Sequence, residues 1–236
     1  AYALERQQRY RPALEAYKAS LALVDSPVVR AAYNDLRQSH GFRVVDYTID
    51  SDAANPRICV QFSEQLQVGR VDFTPFVTLD GGTPPAVTAE GEQLCVDGVR
   101  HGERYRLAVR PGVPSVVDEV TETASNFEIY VPDRDPGVRF AGRSFVLPRV
   151  GAKGVPAVTV NTDAIEIELY RIGSRGLTNV VGDGPVLRQL DNWDAERITA
   201  ETGEKIWSGS LEVRNELNRD VTTLFPIDEA LPERRP

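Results

Sequence analysis

In residues 57–63, Ile58, Val60 and Phe62 alternate with Cys59, Gln61 and Ser63. Successive side chains of a β-strand point to opposite faces, so a period of two places the apolar set on one face, against a core. Residues 93–97 have the same form, with Leu94 and Val96 on one face and Gln93, Cys95 and Asp97 on the other. These strands carry the chain's two cysteines, each on a polar face. If the strands are neighbours, the sulfurs can meet across the ladder, where opposed Cα atoms lie about 4.5–5.5 Å apart. We read Cys59 and Cys95 as a disulfide, which implies an oxidising compartment such as a periplasm or the cell exterior. The other reading is two unrelated reduced thiols in a cytosolic protein. The sequence has no CxxC pair and no Cys/His cluster, so we expect no metal site and no cofactor.

A chain of 236 residues suits one or two domains and can bury a real core. A net charge of −8 argues against nucleic acid as a partner, because phosphates require a basic face. No run approaches the roughly 18–20 apolar residues that cross a bilayer. The chain has no Met and opens inside a helix-like pattern. We therefore expect a piece of a longer protein cut at both ends, with any targeting signal outside it.

Residues 3–40 read as two short helices. Leu4, Tyr10, Ala13, Leu14, Tyr17, Leu21 and Leu23 recur at spacings near three and four, as on a buried helix face. Arg11 is expected to end one short piece and Pro12 to begin the next, since proline suits a first helical turn. Ser26 reads as an N-cap with Pro27 at the first helical position. Val28, Val29, Ala32, Tyr33 and Leu36 make the second apolar face, and Gly41 reads as a left-handed cap. Residues 10–23 look like half of a tetratricopeptide-type repeat. One copy makes no solenoid, so a helical hairpin packed on the adjoining β domain is expected.

From Phe42 the pattern becomes strands: 42–49, 57–63, 73–79, 86–89, 92–96, 104–110 and 126–131. Asp80-Gly81-Gly82 and Glu90-Gly91 are turn signals between them. Seven short strands with a turn about every ten residues predict an antiparallel sandwich. Residues 132–137, polar with two prolines and a glycine, mark a domain boundary. Strands resume at 138–140, 144–147 and 157–160. Ile165, Ile167 and Leu169 then alternate with Glu166, Glu168 and Tyr170, as in a strand with one wet face. Residues 187–198 read as irregular, and 204–213 and 221–225 as strands. The fold class is thus mainly β: a helical lead-in (1–41), then two immunoglobulin-like antiparallel sandwiches (42–132 and 137–236), the second short of its last strand.

Catalytic groups are sparse. His40 and His101 each adjoin a glycine at an element end and read as turn or capping residues. Neither a Gly-x-Ser-x-Gly elbow nor a phosphate loop is present. Asp191, Asn192 and Asp194 with Glu196 offer oxygen ligands for calcium, but their spacing misses the EF-hand pattern and a solvated loop is the plainer reading. Asp133 and Asp135 read as linker solvation. Glu166 and Glu168 share a wet strand face, and paired carboxylates can do acid/base work. No tuning partner is legible, so a solvated face is preferred. Tyr105 between Arg104 and Arg106 could stack a ligand, though core packing is the better account.

From Phe42 onward the sequence resembles the N-terminal macroglobulin-like domains of bacterial α2-macroglobulins. The stretches that carry the resemblance are 54–64, 93–99 and 102–105, then 138–140 with 142–147, 165–172 and 203–209. They cover structural signatures rather than reactive ones. The resemblance implies two macroglobulin-like sandwiches of a large periplasmic protein, often a lipoprotein on the inner membrane, that traps proteases which cleave its bait region. Implied partners are those proteases, other domains of the same chain, and a peptidoglycan-synthesising penicillin-binding protein. Many members carry a thioester built from Cys-x-Glu-Gln. Here Gln93 and Cys95 have the wrong order and spacing, so no thioester residue carries over. The segment would be non-catalytic scaffold. An immunoglobulin-like adhesion or envelope-binding module, or a non-catalytic domain of a secreted enzyme, are the rival readings.

Overall fold

The computed structural model describes residues 1–69, 71–142, 154–173, 192–201 and 203–227. It divides into two compact units, Ala1–Pro132 and Asp133–Pro236.

The first unit begins with helices α1 (Tyr2–Arg6), α2 (Tyr10–Leu23) and α3 (Pro27–His40). The break between α1 and α2 falls at residues 7–9 rather than between Arg11 and Pro12, with Gln8 in the left-handed region at φ 59°. Pro12 is the third residue of α2. Its missing N–H costs nothing there, because first-turn amides have no intrahelical partner. Ser26 caps α3 with Pro27 directly behind it, as the sequence indicates, although no side-chain cap bond forms. Gly41 differs from expectation: its backbone is extended, not left-handed. A glycine is needed for a different reason, since a Cβ there would lie 2.4 Å from the Arg37 carbonyl oxygen. Ala13, Leu14, Tyr17 and Leu36 close a small core between the helices, with Leu4, Tyr10, Val29, Ala32 and Tyr33 around it.

Seven strands come next: β1 (Val44–Asp50), β2 (Arg57–Phe62), β3 (Val77–Leu79), β4 (Val87–Glu90), β5 (Gln93–Val96), β6 (Arg104–Val109) and β7 (Ser125–Tyr130). They form sheets of order β1-β2-β5-β4 and β3-β6-β7, the strand arrangement of an immunoglobulin constant-type sandwich. The expected strand at 73–79 is shorter, because Thr74–Phe76 form a 3-10 turn before β3. Alternation does the sorting. Ile58, Val60, Phe62, Leu94 and Val96 from one sheet meet Val77, Tyr105, Leu107, Val109 and Ile129 from the other in one core. Each such side chain contributes about 1.5–3 kcal/mol when fully buried.

The outer face of the four-stranded sheet carries the rows Thr48–Cys59–Cys95–Thr88 and Asp46–Gln61–Gln93–Glu90. Cys59 and Cys95 are bonded to each other. They lie on the face that alternation assigns them, yet both are buried. β2 and β5 are the inner strands of the sheet, so the pair is flanked on each side by another strand.

The second unit has β8 (Gly137–Phe140), β9 (Val155–Val160), β10 (Ala164–Ile172), α4 (Asn192–Glu201), β11 (Gly203–Glu212) and β12 (Val221–Phe225). Among the described residues its pairings are antiparallel: a β12-β9-β8 sheet and a β10-β11 ribbon. Ala157, Ile165 and Val213 form a core cluster with Ile167 and Leu211 packed against it. α4 replaces the irregular segment expected through 198. Its residues lack a strong apolar stripe, which is why periodicity misses it. The strand expected at 144–147 and the segment 187–191 lie outside the described residues.

Candidate functional site

The most elaborate side-chain constellation is built on Glu119, at the tip of the β6–β7 connection. That loop is a small hairpin in its own right. The Gly112 amide donates to Thr121 O at 2.8 Å, Thr121 N to Val113 O at 3.1 Å, and Ser115 N to Glu119 O at 2.9 Å. Asp118 turns the tip in the left-handed region at φ 55°. The segment after β2 pairs with this hairpin, Gln67 N donating to Pro114 O at 3.1 Å and Val116 N to Gln65 O at 3.0 Å. Two connections from different sheets are thereby fixed side by side, each presenting a carboxylate.

Arg11, in the first turn of α2, fits between those carboxylates. Its Nε donates to Glu64 Oε1 at 2.8 Å, while Nη1 and Nη2 donate to Glu119 Oε1 and Oε2 at 2.6 and 3.3 Å. Glu119 Oε2 also accepts the Phe42 amide at 2.9 Å. Arg37 of α3 pairs with Glu122 at 2.9 Å. Glu119 is only 8% exposed. Burial alone would raise its pKa, but the Arg11 fork, the Phe42 amide and the nearby Arg37 charge outweigh burial and hold it below the usual carboxylate range. Arg11 is pushed the other way: burial lowers it, and the two carboxylates more than offset this. A bidentate guanidinium–carboxylate pair has directional strength. Both acids are committed to that pair, so the arrangement holds elements together and offers no group poised for proton transfer.

The sequence-selected candidates fall elsewhere. Tyr105 belongs to the sandwich core, and its hydroxyl accepts the Arg100 amide at 2.9 Å while donating to Glu103 Oε2 at 2.6 Å. This is the tyrosine corner of immunoglobulin-like sandwiches, at the start of the sixth strand. A recess of about 590 Å³ beside it is lined by Asp80, Gly81, Arg104, Arg106, Glu128 and Ile129. Its charges balance, with Arg106 paired to Glu128. His40 stacks flat on Tyr10 with centroids 3.6 Å apart, and His101 Nε2 bonds Ser51 O at 2.8 Å. Both histidines are structural.

Glu166 and Glu168 lie on β10. Glu168 has the partner the sequence did not reveal: Lys205 on the neighbouring β11, at 2.5 Å. That bond, then one from Tyr170, lowers the Glu168 pKa. Asp133 accepts Asn218 Nδ2 at 2.7 Å, within a knot in which Asn161 and Asn218 bond each other and Asp220 pairs with Arg134 and Arg139. Asp191 lies outside the described residues, while Asn192, Asp194 and Glu196 fall in α4 rather than in a loop. Among the described residues no group of three or more His, Cys, Asp or Glu could hold a metal ion.

Arg11, Glu64 and Glu119 were invisible to sequence reasoning. They are 53 and 108 positions apart, and no local period marks any of them.

Residues 139–236 match the family model described as the bacterial alpha-2 macroglobulin MG2 domain. An alpha-2-macroglobulin of Xylella fastidiosa (strain 9a5c) is 22% identical over 209 residues, covering 83% of this chain and 13% of that protein. One from Escherichia coli (strain K12) is 21% identical over 111 residues, covering 46% and 7%. The crystal structure of Salmonella alpha-2-macroglobulin reacted with methylamine has a similar fold, with a TM-score of 0.52 at 19% identity over 83% of this chain and 12% of that one. The chain thus spans about an eighth of the length of the relatives it matches.

Proposed function

We propose that the chain carries macroglobulin-like domains of the bacterial alpha-2-macroglobulin family and serves as scaffold within a longer protease-trapping inhibitor. The observation that supports this most is the pair of consecutive β units whose match runs across 83% of the chain but only 13% of the relative. The side-chain constellations within each unit hold loops and helices in place. In this reading the chain itself is non-catalytic. Its partners are neighbouring domains of the same protein, the proteases taken by the whole, and, by family resemblance, a penicillin-binding protein.

The disulfide between buried Cys59 and Cys95 supports an oxidising compartment, and with it a periplasmic site for the longer protein; anchoring to the inner membrane rests on the family resemblance alone. The longer protein, treated with methylamine and then a protease, is expected to retain the protease. Amine incorporation would add a thioester to the mechanism, and retention without incorporation would place the protein in a thioester-free branch. Absence of both signals from a folded protein would overturn the trap in favour of an adhesion or envelope-binding module. The present chain alone is expected to inhibit no protease, and stoichiometric inhibition by it would overturn the scaffold role.

A further inference from the structure

The helical hairpin and the first sandwich have separate hydrophobic cores. Leu14, Tyr17, Leu36 and their neighbours form one cluster, and Phe42, Ile58, Leu107 and theirs form another. Among the described residues the two clusters have no member in common. The bonds that cross from helix to sandwich are polar: Arg11 to Glu64 and Glu119, and Arg37 to Glu122. The hairpin is also internally complete. Tyr10 stacks on His40, and Tyr17 Oη donates to Glu5 at 2.8 Å. The chain leaves α3 through Gly41, where extended backbone begins at once.

We infer that residues 1–40 form a separately docked element, latched to the first sandwich by the Arg11 fork on Glu119 and Glu64 and able to leave it with the sandwich intact. An apolar interface would tie hairpin and sandwich into one cooperative unit, because its burial is lost only when both open. A junction made of a few charged bonds gives two states instead. In the docked state both carboxylates are paired. In the released state water solvates Arg11, Glu64 and Glu119, the sandwich core stays closed, and the hairpin, left with only its own small core, opens more readily. Gly41 and the Phe42 peptide then act as the hinge, since a few terminal residues can absorb such a motion. The charged groups facing Glu119 are Arg11 from α2 and Arg37 from α3, with Glu64 and Glu122 beside them from the sandwich. The inference concerns the first unit only and does not depend on the protease-trapping role.

Amide hydrogen exchange on the full chain tests it, comparing the wild type with Arg11→Met and Arg11→Lys. Arg11→Met is expected to speed exchange of the α2 and α3 amides tenfold or more while β2, β5 and β6 keep wild-type protection. Arg11→Lys keeps a charge but loses the fork, and should fall between the two. Equal loss of protection in hairpin and sandwich would overturn the inference, as would no change in the hairpin. Failure of Arg11→Met to yield a folded sandwich would overturn it as well.

Discussion

Cys59 and Cys95 stand directly opposite each other on β2 and β5, with Cα atoms 3.9 Å apart. The Phe62 amide donates to Glu92 O at 2.8 Å, which makes the cysteines a close, non-hydrogen-bonded pair by the alternation of antiparallel ladders. Immunoglobulin domains of antibodies tie strand B to strand F between sheets; here the tie lies within one sheet, between the second and fifth strands. The closed loop spans a sequence separation of 36. Replacing both cysteines with alanine is expected to cost about 3–4 kcal/mol in urea unfolding. Because both sulfurs are bonded to each other, alkylation of the denatured but unreduced protein should leave the intact mass unchanged. Two alkylated thiols would refute the bond.

Tyr105 joins the first sheet's exit to the second sheet through its hydroxyl. Tyr105→Phe removes a donor to Glu103 and an acceptor for the Arg100 amide, and should cost about 1–2 kcal/mol in the same unfolding experiment. Burial, then the bond to Glu103, raises the Tyr105 pKa above the ordinary 10.0. A raised pKa favours the protonated form in the fold. Its contribution is therefore full below pH 10 and lost as pH climbs through the raised value. Ultraviolet difference titration should find Tyr105 and Tyr17 ionising late, and Tyr105→Phe should remove one of the two late transitions.

Glu119 shows the opposite sign. Its folded pKa lies below the ordinary 4.5, so its stabilising contribution is present above that value and fades as pH falls through the depressed one. The carboxyl carbon resonance of Glu119 should titrate below pH 4.5, moving up to an ordinary value in Arg11→Met. An ordinary midpoint in the wild type would show that the fork does not set the charge.

Asn218 adopts left-handed backbone at φ 60°, and its amide and side chain bond Asn161, Arg134 and Asp133. Alanine keeps the amide bond to Asn161 but loses the side-chain bonds and adds about 1–2 kcal/mol of backbone strain. Glycine loses the same side-chain bonds without the strain. Thermal unfolding should therefore rank wild type above Asn218→Gly and Asn218→Gly above Asn218→Ala. Equal losses would assign the position to side-chain bonding alone.

Gly98 combines φ +89° with a Cβ position 2.2 Å from Pro85 Cγ. Gly98→Ala faces backbone strain and a rigid ring together, and is expected to cost about 2–4 kcal/mol in urea unfolding. A cost below about 0.5 kcal/mol would show that the segment before β6 can shift freely.

Much of this fold was legible because alternation is local. Ile58, Val60 and Phe62 declare an inner face within six residues, and Ile165, Ile167 and Leu169 do the same. Ser26 and Pro27 mark a helix start, and the stretches around Cys59, Cys95 and Trp207 carry the family resemblance. What the sequence could not show depends on contacts between distant residues. Arg11 meets Glu119 only because the β6–β7 hairpin and the segment after β2 bond each other, and no period in the chain encodes that meeting. Lys205 reaches Glu168 through a strand register fixed by the β10–β11 pairing. Gly41 is required by the approach of the Arg37 carbonyl rather than by a left-handed turn. Short-range periodicity determined most of the strands and helices and their faces, α4 excepted, because each needs only its own side chains. Tertiary structure alone decided which charges pair and where the helices are latched, because those bonds exist only once separate elements are side by side.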